Sequence, residues 1–100
     1  MKPNRPAHGQ DVKQAELELC KALLRLKRPD DMRAFLRDLC TPAELQALVD
    51  RWQVVMMLSE GHAYRRIHEL TGVSVTTVGR VARYLSDGHG GYGKALNQHK

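Results

Sequence analysis

The residues best suited to chemistry in this sequence are the arginines and small hydroxyl side chains between Ala63 and Leu85. This stretch contains four arginines and a single acidic residue, Glu69. Guanidinium groups pair with phosphate oxygens, and hydroxyl side chains can hydrogen-bond to the edges of bases. The stretch therefore favours binding to nucleic acid. A solvated helix face is the alternative explanation for any run of charge, so the positions of the arginines must decide between the two.

The same stretch predicts two helices joined by a tight turn. Tyr64, Ile67 and Leu70 form a short apolar stripe, and Gly72 can take the positive φ angle that a tight turn needs. Ser74 is a good N-cap for a second helix. The apolar positions of that second helix are spaced for one buried face: Val75, Val78, Val81, Ala82 and Leu85.

Two helices with a glycine in the turn between them are typical of the DNA-binding helix-turn-helix, which we predict over residues 63–86. In that unit the start of the second helix reaches base edges in the major groove, while other positions contact the backbone. The predicted phosphate contacts are Arg65, Arg66 and Arg83. The predicted base contacts are Val75, Thr76 and Gly79, and the predicted DNA-binding set is completed by Ser74 and Arg80.

Gly79 lies in the middle of the second predicted helix, where glycine costs about 1 kcal/mol relative to alanine. Close approach to DNA would explain the missing side chain, and a tolerated accident of sequence would explain it equally well. The β-branched residues of this helix have modest helix propensity. We therefore expect its amide hydrogens to exchange faster than those of residues 45–58.

The rest of the chain must supply the elements that hold this unit. We expect a flexible arm over residues 1–11, a helical domain over residues 12–86 and a glycine-rich tail over residues 87–100 that leaves the second helix as a flexible exit. Apolar spacing predicts a helix from Val12 to Leu26, followed by a short helix that begins at Pro29.

A capping box starts the longest predicted helix. Thr41 can accept a backbone hydrogen bond, Pro42 suits the first helical position, and Glu44 lies three residues after the cap. The helix is expected to run to about Ser59, and Gly61 can end it with left-handed geometry. Its expected buried side consists of Leu45, Leu48, Val49, Trp52, Val55 and Met56.

Length and composition exclude several classes of protein. One hundred residues with 42% hydrophobic side chains and a net charge of +5 form one domain, and an obligate dimer would close its core more easily than one chain. We expect neither a membrane span nor a secretory segment, and Cys20 and Cys40 are typical of reduced, buried thiols in a cytoplasmic protein. Because no metal-ligand spacing or nucleophile–base pattern is present, we expect no enzyme activity and no required cofactor.

The sequence resembles the Trp-repressor-like family of bacterial transcription regulators. The similarity covers residues 12–92 and is carried by LCTPAELQALVDRW (Leu39–Trp52), LSEGHAYRRIHELTGVSVTTVGRV (Leu58–Val81) and DGHGGY (Asp87–Tyr92). It implies an all-α fold of about five helices with a C-terminal helix-turn-helix. It also implies an intertwined homodimer, in which the N-terminal helices of both chains build a shared core.

The resemblance also implies an effector site between the long central helix and the recognition helix, as in the tryptophan-responsive member of the family. The matching positions are Thr41, Arg51, Thr77 and Arg80, and Tyr84 lies on the same helix face as the last two. Val81 and Tyr84 depart from the family pattern, because they are larger and would fill the space that an indole needs. We therefore expect no required effector, and the alternatives are L-tryptophan or another small-molecule corepressor.

The function favoured by these observations is a homodimeric, sequence-specific regulator that binds double-stranded DNA and represses transcription from a palindromic operator. Two other functions stay open on the sequence. One is a protein-interaction module that holds a polypeptide on the helix-turn-helix surface. The other is DNA binding of the nucleoid type, without sequence preference.

Overall fold

A computed structural model describes residues 9–97, with side chains from residue 11 onward. All regular structure in this range is helical: α1 (Gly9–Leu24), α2 (Pro29–Leu39), α3 (Pro42–Ser59), α4 (Tyr64–Thr71), α5 (Val75–Asp87) and α6 (Gly91–Leu96). The predicted all-α fold is confirmed. Most of the expected N-terminal arm lies outside the described residues. The chain divides into two compact units, one that ends at Leu39 and one that begins at Cys40.

The first unit contains α1 and α2. Helix α1 begins three residues before the predicted start and ends at Leu24, two residues before the predicted end. Helix α2 begins at Pro29 as predicted, and two aspartates in its first turn complement the helix dipole. None of the described side chains in this unit is buried. Its exposed large apolar side chains are Val12, Leu17, Leu19, Leu24 and Leu39.

The prediction that both cysteines are buried is wrong for Cys20. This thiol is exposed on α1, and Cys40 is only partly buried. The physical reason is that the first unit forms no buried core within one chain.

Helix α3 begins with the predicted capping box. Thr41 Oγ1 accepts a hydrogen bond from the Glu44 amide at 3.1 Å, and Glu44 Oε1 accepts one from the Thr41 amide at 2.8 Å. The helix ends at Ser59, and Gly61 follows it with a φ angle of +90°. Both local predictions are confirmed, because each depends only on residues that are close in sequence.

The core of the second unit lies where α3, α4 and α5 meet. Its buried side chains are Val54, Val55, Ile67, Val73, Val78 and Val81. Partly buried side chains surround them, and Tyr92 and Leu96 of α6 belong to this outer group. The core therefore lies directly beneath α5 and fixes one side of that helix.

The predicted buried side of α3 is only partly correct. Val55 is buried as expected, but Leu48, Val49 and Met56 keep 41%, 45% and 38% of their surface exposed. Helix α3 carries apolar side chains on several sides, and within one chain the core covers the side that carries Val54 and Val55. A second apolar side is left uncovered.

The glycine-rich segment after α5 does not form the flexible exit that we expected. It turns the chain back and forms α6. A Cβ on Gly88 would lie 2.3 Å from the Tyr84 carbonyl oxygen, and Gly90 has a φ angle of +85°. Both positions therefore require glycine. Tyr92 and Leu96 are four residues apart on α6, so both can face the core.

Within residues 9–97, no helix combines the length and the apolar character that crossing a membrane would need.

Candidate nucleic-acid interface

The candidate interface is formed by α4 and α5, which we call the α4–α5 pair. The three residues between the helices are Gly72, Val73 and Ser74. Gly72 adopts a φ angle of +79°, and its amide donates to the His68 carbonyl oxygen at 2.8 Å. Val73 is buried, and the Ser74 hydroxyl accepts from the Thr77 amide at 3.1 Å. The predicted turn glycine and N-cap serine are thus confirmed.

The side chains of His68 and Thr71 in α4 form hydrogen bonds with the backbone that stabilise this turn. His68 Nδ1 lies 2.8 Å from the Val73 carbonyl oxygen, and because a carbonyl only accepts, Nδ1 carries the hydrogen. Thr71 Oγ1 donates to the Ile67 carbonyl oxygen at 2.7 Å and accepts from the Val73 amide at 3.0 Å. Sequence reasoning missed the His68 bond, since no spacing rule pairs a histidine with a carbonyl five residues later.

One side of α5 faces away from the core, and we call it the outer face of α5. It is defined by Val75, Thr76, Gly79, Arg80 and Arg83. All of these except the partly buried Gly79 are exposed. Val78 and Val81 lie on the opposite, buried side of the helix. The structure thus brings most of the predicted DNA-binding residues together on one surface, with small side chains at the start of the helix and arginines further along.

The start of α4 lies beside this surface. The Cε2 atom of Tyr64 is 3.8 Å from the position that a Cβ on Gly79 would take. Arg65 and Arg66 follow Tyr64 directly in the first turn of α4, and both are exposed. Arg66 Nη1 lies 3.5 Å from Glu69 Oε1, but both side chains are more than half exposed, so this ion pair contributes little stability.

Ser74 differs from the other predicted DNA-binding residues. Its hydroxyl caps α5 and also donates to Thr77 Oγ1 at 3.1 Å. The structure therefore assigns the Ser74 side chain a role in starting α5.

Four of the five predicted effector residues, Arg51, Thr77, Arg80 and Tyr84, line two clefts between α3 and α5. The first has a volume of about 270 Å³ and is lined by Arg51, Arg80, Val81, Tyr84 and Tyr92. We call it the Arg51–Arg80 cleft. The second, of about 300 Å³, is lined by Arg51 and Thr77 together with Ala47, Asp50, Gly72, Val73 and Ser74. Thr41 lines neither of them, and its hydroxyl is engaged in the capping box.

Aromatic rings form part of the walls of the Arg51–Arg80 cleft. The guanidinium carbon of Arg80 lies 5.5 Å from the centre of the Tyr84 ring, within the range of a cation–π interaction. The Trp52 and Tyr92 rings have centroids 6.4 Å apart and are tilted by 45°. Sequence reasoning did not identify Tyr92 as a site residue, because the contact joins positions forty residues apart.

A third cleft adjoins the same two tyrosines. It has a volume of about 420 Å³ and is lined by Tyr84, His89, Gly91 and Tyr92. No three His, Cys, Asp or Glu side chains in the described part of the chain are grouped as a metal site requires.

Comparison with known proteins gives consistent results. Residues 14–100 match the family model described as Trp repressor protein. The uncharacterized protein YerC of Bacillus subtilis (strain 168) is 40% identical over 83 residues, which are 83% of this chain and 80% of YerC. The crystal structure of a TrpR-like protein from Eubacterium eligens has a TM-score of 0.80 at 39% identity and covers 85% of this chain and 88% of its own. A candidate Trp repressor from Staphylococcus aureus has a TM-score of 0.80 at 36% identity, with 86% of each chain covered.

Proposed function

Because the chain belongs to the Trp repressor family, whose members are DNA-binding regulators, we propose that it is a sequence-specific repressor of transcription that binds double-stranded DNA as a homodimer. The observation that carries the proposal is the exposed outer face of α5, which presents small side chains at the start of the helix and arginines further along. Such a regulator acts on chromosomal DNA, which in a bacterium lies in the cytoplasm.

The proposal assigns two tasks to the α4–α5 pair, acting as a helix-turn-helix. Val75 and Thr76 in the first turn of α5 are exposed and can reach base edges, with Val75 against a thymine methyl group. Arg65 and Arg66 at the start of α4, and Arg83 on α5, hold the phosphate backbone on either side. This division follows the docking of other helix-turn-helix proteins, in which the second helix enters the major groove.

The homodimer is supported by apolar surface that one chain leaves uncovered. Leu45, Val49 and Met56 lie at i, i+4 and i+11 on α3, and the last two are exposed. In the first unit, Leu17, Leu19 and Leu24 are exposed on α1. A second copy of the chain can cover such faces. Two symmetric α4–α5 pairs would then read a palindromic operator with half-sites about one DNA turn apart, roughly 34 Å.

In this proposal DNA binding requires no small-molecule effector. Val81 and Tyr84 already occupy the wall of the Arg51–Arg80 cleft, and Arg80 is held over the Tyr84 ring. A corepressor such as L-tryptophan is the alternative, and calorimetric titration of the protein with L-tryptophan separates the two. We expect no binding heat and no change in DNA affinity. A tenfold gain in DNA affinity on adding L-tryptophan would favour the corepressor.

The decisive experiment is selection of genomic DNA fragments by the purified protein, followed by footprinting. We expect a few strongly enriched sites that contain an inverted repeat. Even enrichment across the genome would indicate DNA binding of the nucleoid type. A protein-interaction module would give two different results. The protein would retain no duplex, and it would retain a polypeptide that is also held by the triple variant with alanine at Arg65, Arg66 and Arg83.

A further inference from the structure

Helix α6 returns the chain to the core after α5 has ended. Its Tyr92 and Leu96 side chains are partly buried against the core, and the Tyr92 ring lies 6.4 Å from the Trp52 ring of α3. Tyr92 also shares the walls of two clefts with Tyr84 of α5. One side chain of α6 is thus in contact with α3 and borders the same clefts as the last full turn of α5.

We propose that α6 is a brace for α5 and that Tyr92 is a positioning residue for DNA binding. Tyr92 acts through α5, whose outer face would carry the DNA contacts. The part of this inference that concerns DNA rests on the proposed function. The part that concerns the stability of α5 stands on contacts within the chain.

The need for a brace follows from the composition of α5. Four of its thirteen residues are valine or threonine in the first turn, and Gly79 is in its middle, so its intrinsic helix propensity is low. The buried residues of α5, Val78 and Val81, lie before its last turn, which runs from Tyr84 to Asp87. Other contacts must therefore stabilise that turn. Leu85 of that turn packs against the same core cluster as Tyr92 and Leu96 of α6. Arg83 lies next to this turn, so a shift of the helix end moves a predicted phosphate contact.

The glycines of the connecting segment indicate that the return of the chain is built into the sequence. A Cβ on Gly88 would collide with the Tyr84 backbone, whereas a Cβ on Gly91 would meet no atom within 4 Å. The two glycines are three residues apart and respond in opposite ways to the same substitution. Gly88→Ala is therefore expected to displace α6 without altering any core side chain, and Gly91→Ala is its matched control.

The test compares four variants of the full chain: Tyr92→Ala, Tyr92→Phe, Gly88→Ala and Gly91→Ala. Trp52 is the single tryptophan of the sequence, so its fluorescence reports directly on the ring that packs against it. Hydrogen exchange of the α5 amides reports on the brace without any DNA. Affinity for a duplex selected by the unaltered protein reports on positioning.

We expect Tyr92→Ala and Gly88→Ala to shift the Trp52 emission to longer wavelength and to speed exchange in residues 81–87 by about tenfold. Exchange in residues 45–58 should not change, and affinity for the selected duplex should fall roughly three- to thirtyfold. Tyr92→Phe and Gly91→Ala should behave like the unaltered protein, because the ring and the chain reversal are kept.

Unchanged exchange in α5 for both Tyr92→Ala and Gly88→Ala would overturn the brace. Faster exchange with unchanged DNA affinity would overturn the positioning role. If the unaltered protein binds no duplex, the proposed function fails, and the exchange data still decide whether α6 holds α5. If Tyr92→Ala does not fold, Gly88→Ala, in which every core side chain is present, gives the decisive comparison.

Discussion

Tyr64 packs over Gly79 without requiring a glycine at that position. A Cβ on Gly79 would lie 3.8 Å from Tyr64 Cε2, which is an ordinary van der Waals contact, and the φ angle of Gly79 is not positive. Glycine in a helix nevertheless costs about 1 kcal/mol relative to alanine. Packing inside the chain therefore gives no reason for the missing side chain, whereas close approach of DNA to the outer face of α5 gives one.

Gly79→Ala should therefore separate stability from DNA binding. We expect the free energy of unfolding to rise by about 0.5–1 kcal/mol, since alanine is the better helix former. Affinity for the selected duplex should fall, because the new methyl group would lie on the outer face of α5, which we propose approaches DNA. Urea unfolding and fluorescence anisotropy measure the two effects. Gly91→Ala, outside the outer face, serves as the control for affinity. Tight DNA binding by Gly79→Ala would show that glycine at this position is a tolerated accident.

The affinity for DNA should fall steeply with salt concentration. Each phosphate that the protein neutralises adds roughly 0.9 to the slope of log affinity against log salt. Replacing Arg65, Arg66 and Arg83 together with alanine should lower that slope by this amount for each phosphate that is no longer neutralised, counted over both chains of the proposed homodimer. The matched control places alanine at Arg28, Arg33 and Arg37, which are exposed in the first unit, and removes the same charge. Equal slopes in the two triple variants would contradict the phosphate assignment.

Thr76 and Arg66 should differ in the kind of defect that they cause. Thr76 is exposed in the first turn of α5, so Thr76→Ala is expected to change which sequences are preferred by about 1–3 kcal/mol at one base pair. Arg66→Ala should weaken binding to all sequences alike, because a phosphate contact carries no base information. Selection from a randomised operator library measures both. If Thr76→Ala lowers the affinity for all sequences equally, the Thr76 side chain contacts the sugar-phosphate backbone of DNA and not a base.

A charge on the uncovered side of α3 should prevent association. Val49 and Met56 are exposed apolar residues on one side of this helix, so Met56→Glu would bury an unpaired carboxylate between two chains. We expect a monomeric or unfolded chain by light scattering coupled to size exclusion. Ser86→Glu adds the same charge at an exposed position of α5 and should leave the dimer intact. A dimeric Met56→Glu variant would move the interface elsewhere.

Local signals account for the parts of this fold that sequence reasoning predicts well. The capping box of Thr41 and Glu44, the turn at Gly72 and the cap at Ser74 each involve residues only three or four positions apart, and each is formed as expected. The grouping of the arginines beside Thr76 follows from helix periodicity together with the buried face of α5.

Contacts between distant residues account for the parts that sequence reasoning misses. The packing of Tyr92 against Trp52 joins positions forty residues apart and depends on how the chain reverses after α5. Apolar periodicity predicts burial for the side of α3 that carries Val49 and Met56, but one chain alone leaves both residues exposed. The apolar pattern of a helix indicates that a side avoids water, and it does not indicate whether the same chain or a partner covers that side.

The first unit has a consequence for the lifetime of the protein in the cell. Its described residues, 11–39, bury no side chain, so little burial offsets the conformational entropy that its two helices lose. If the chain forms the homodimer that we propose, a chain without its partner is open to proteases along this segment, whereas an assembled chain is protected by mass action. The abundance of the protein should therefore rise more steeply than its rate of synthesis, because a higher concentration leaves fewer chains without a partner. When cell division dilutes the protein, the fraction of unpartnered chains rises, so its level should fall faster than that of a stable monomer.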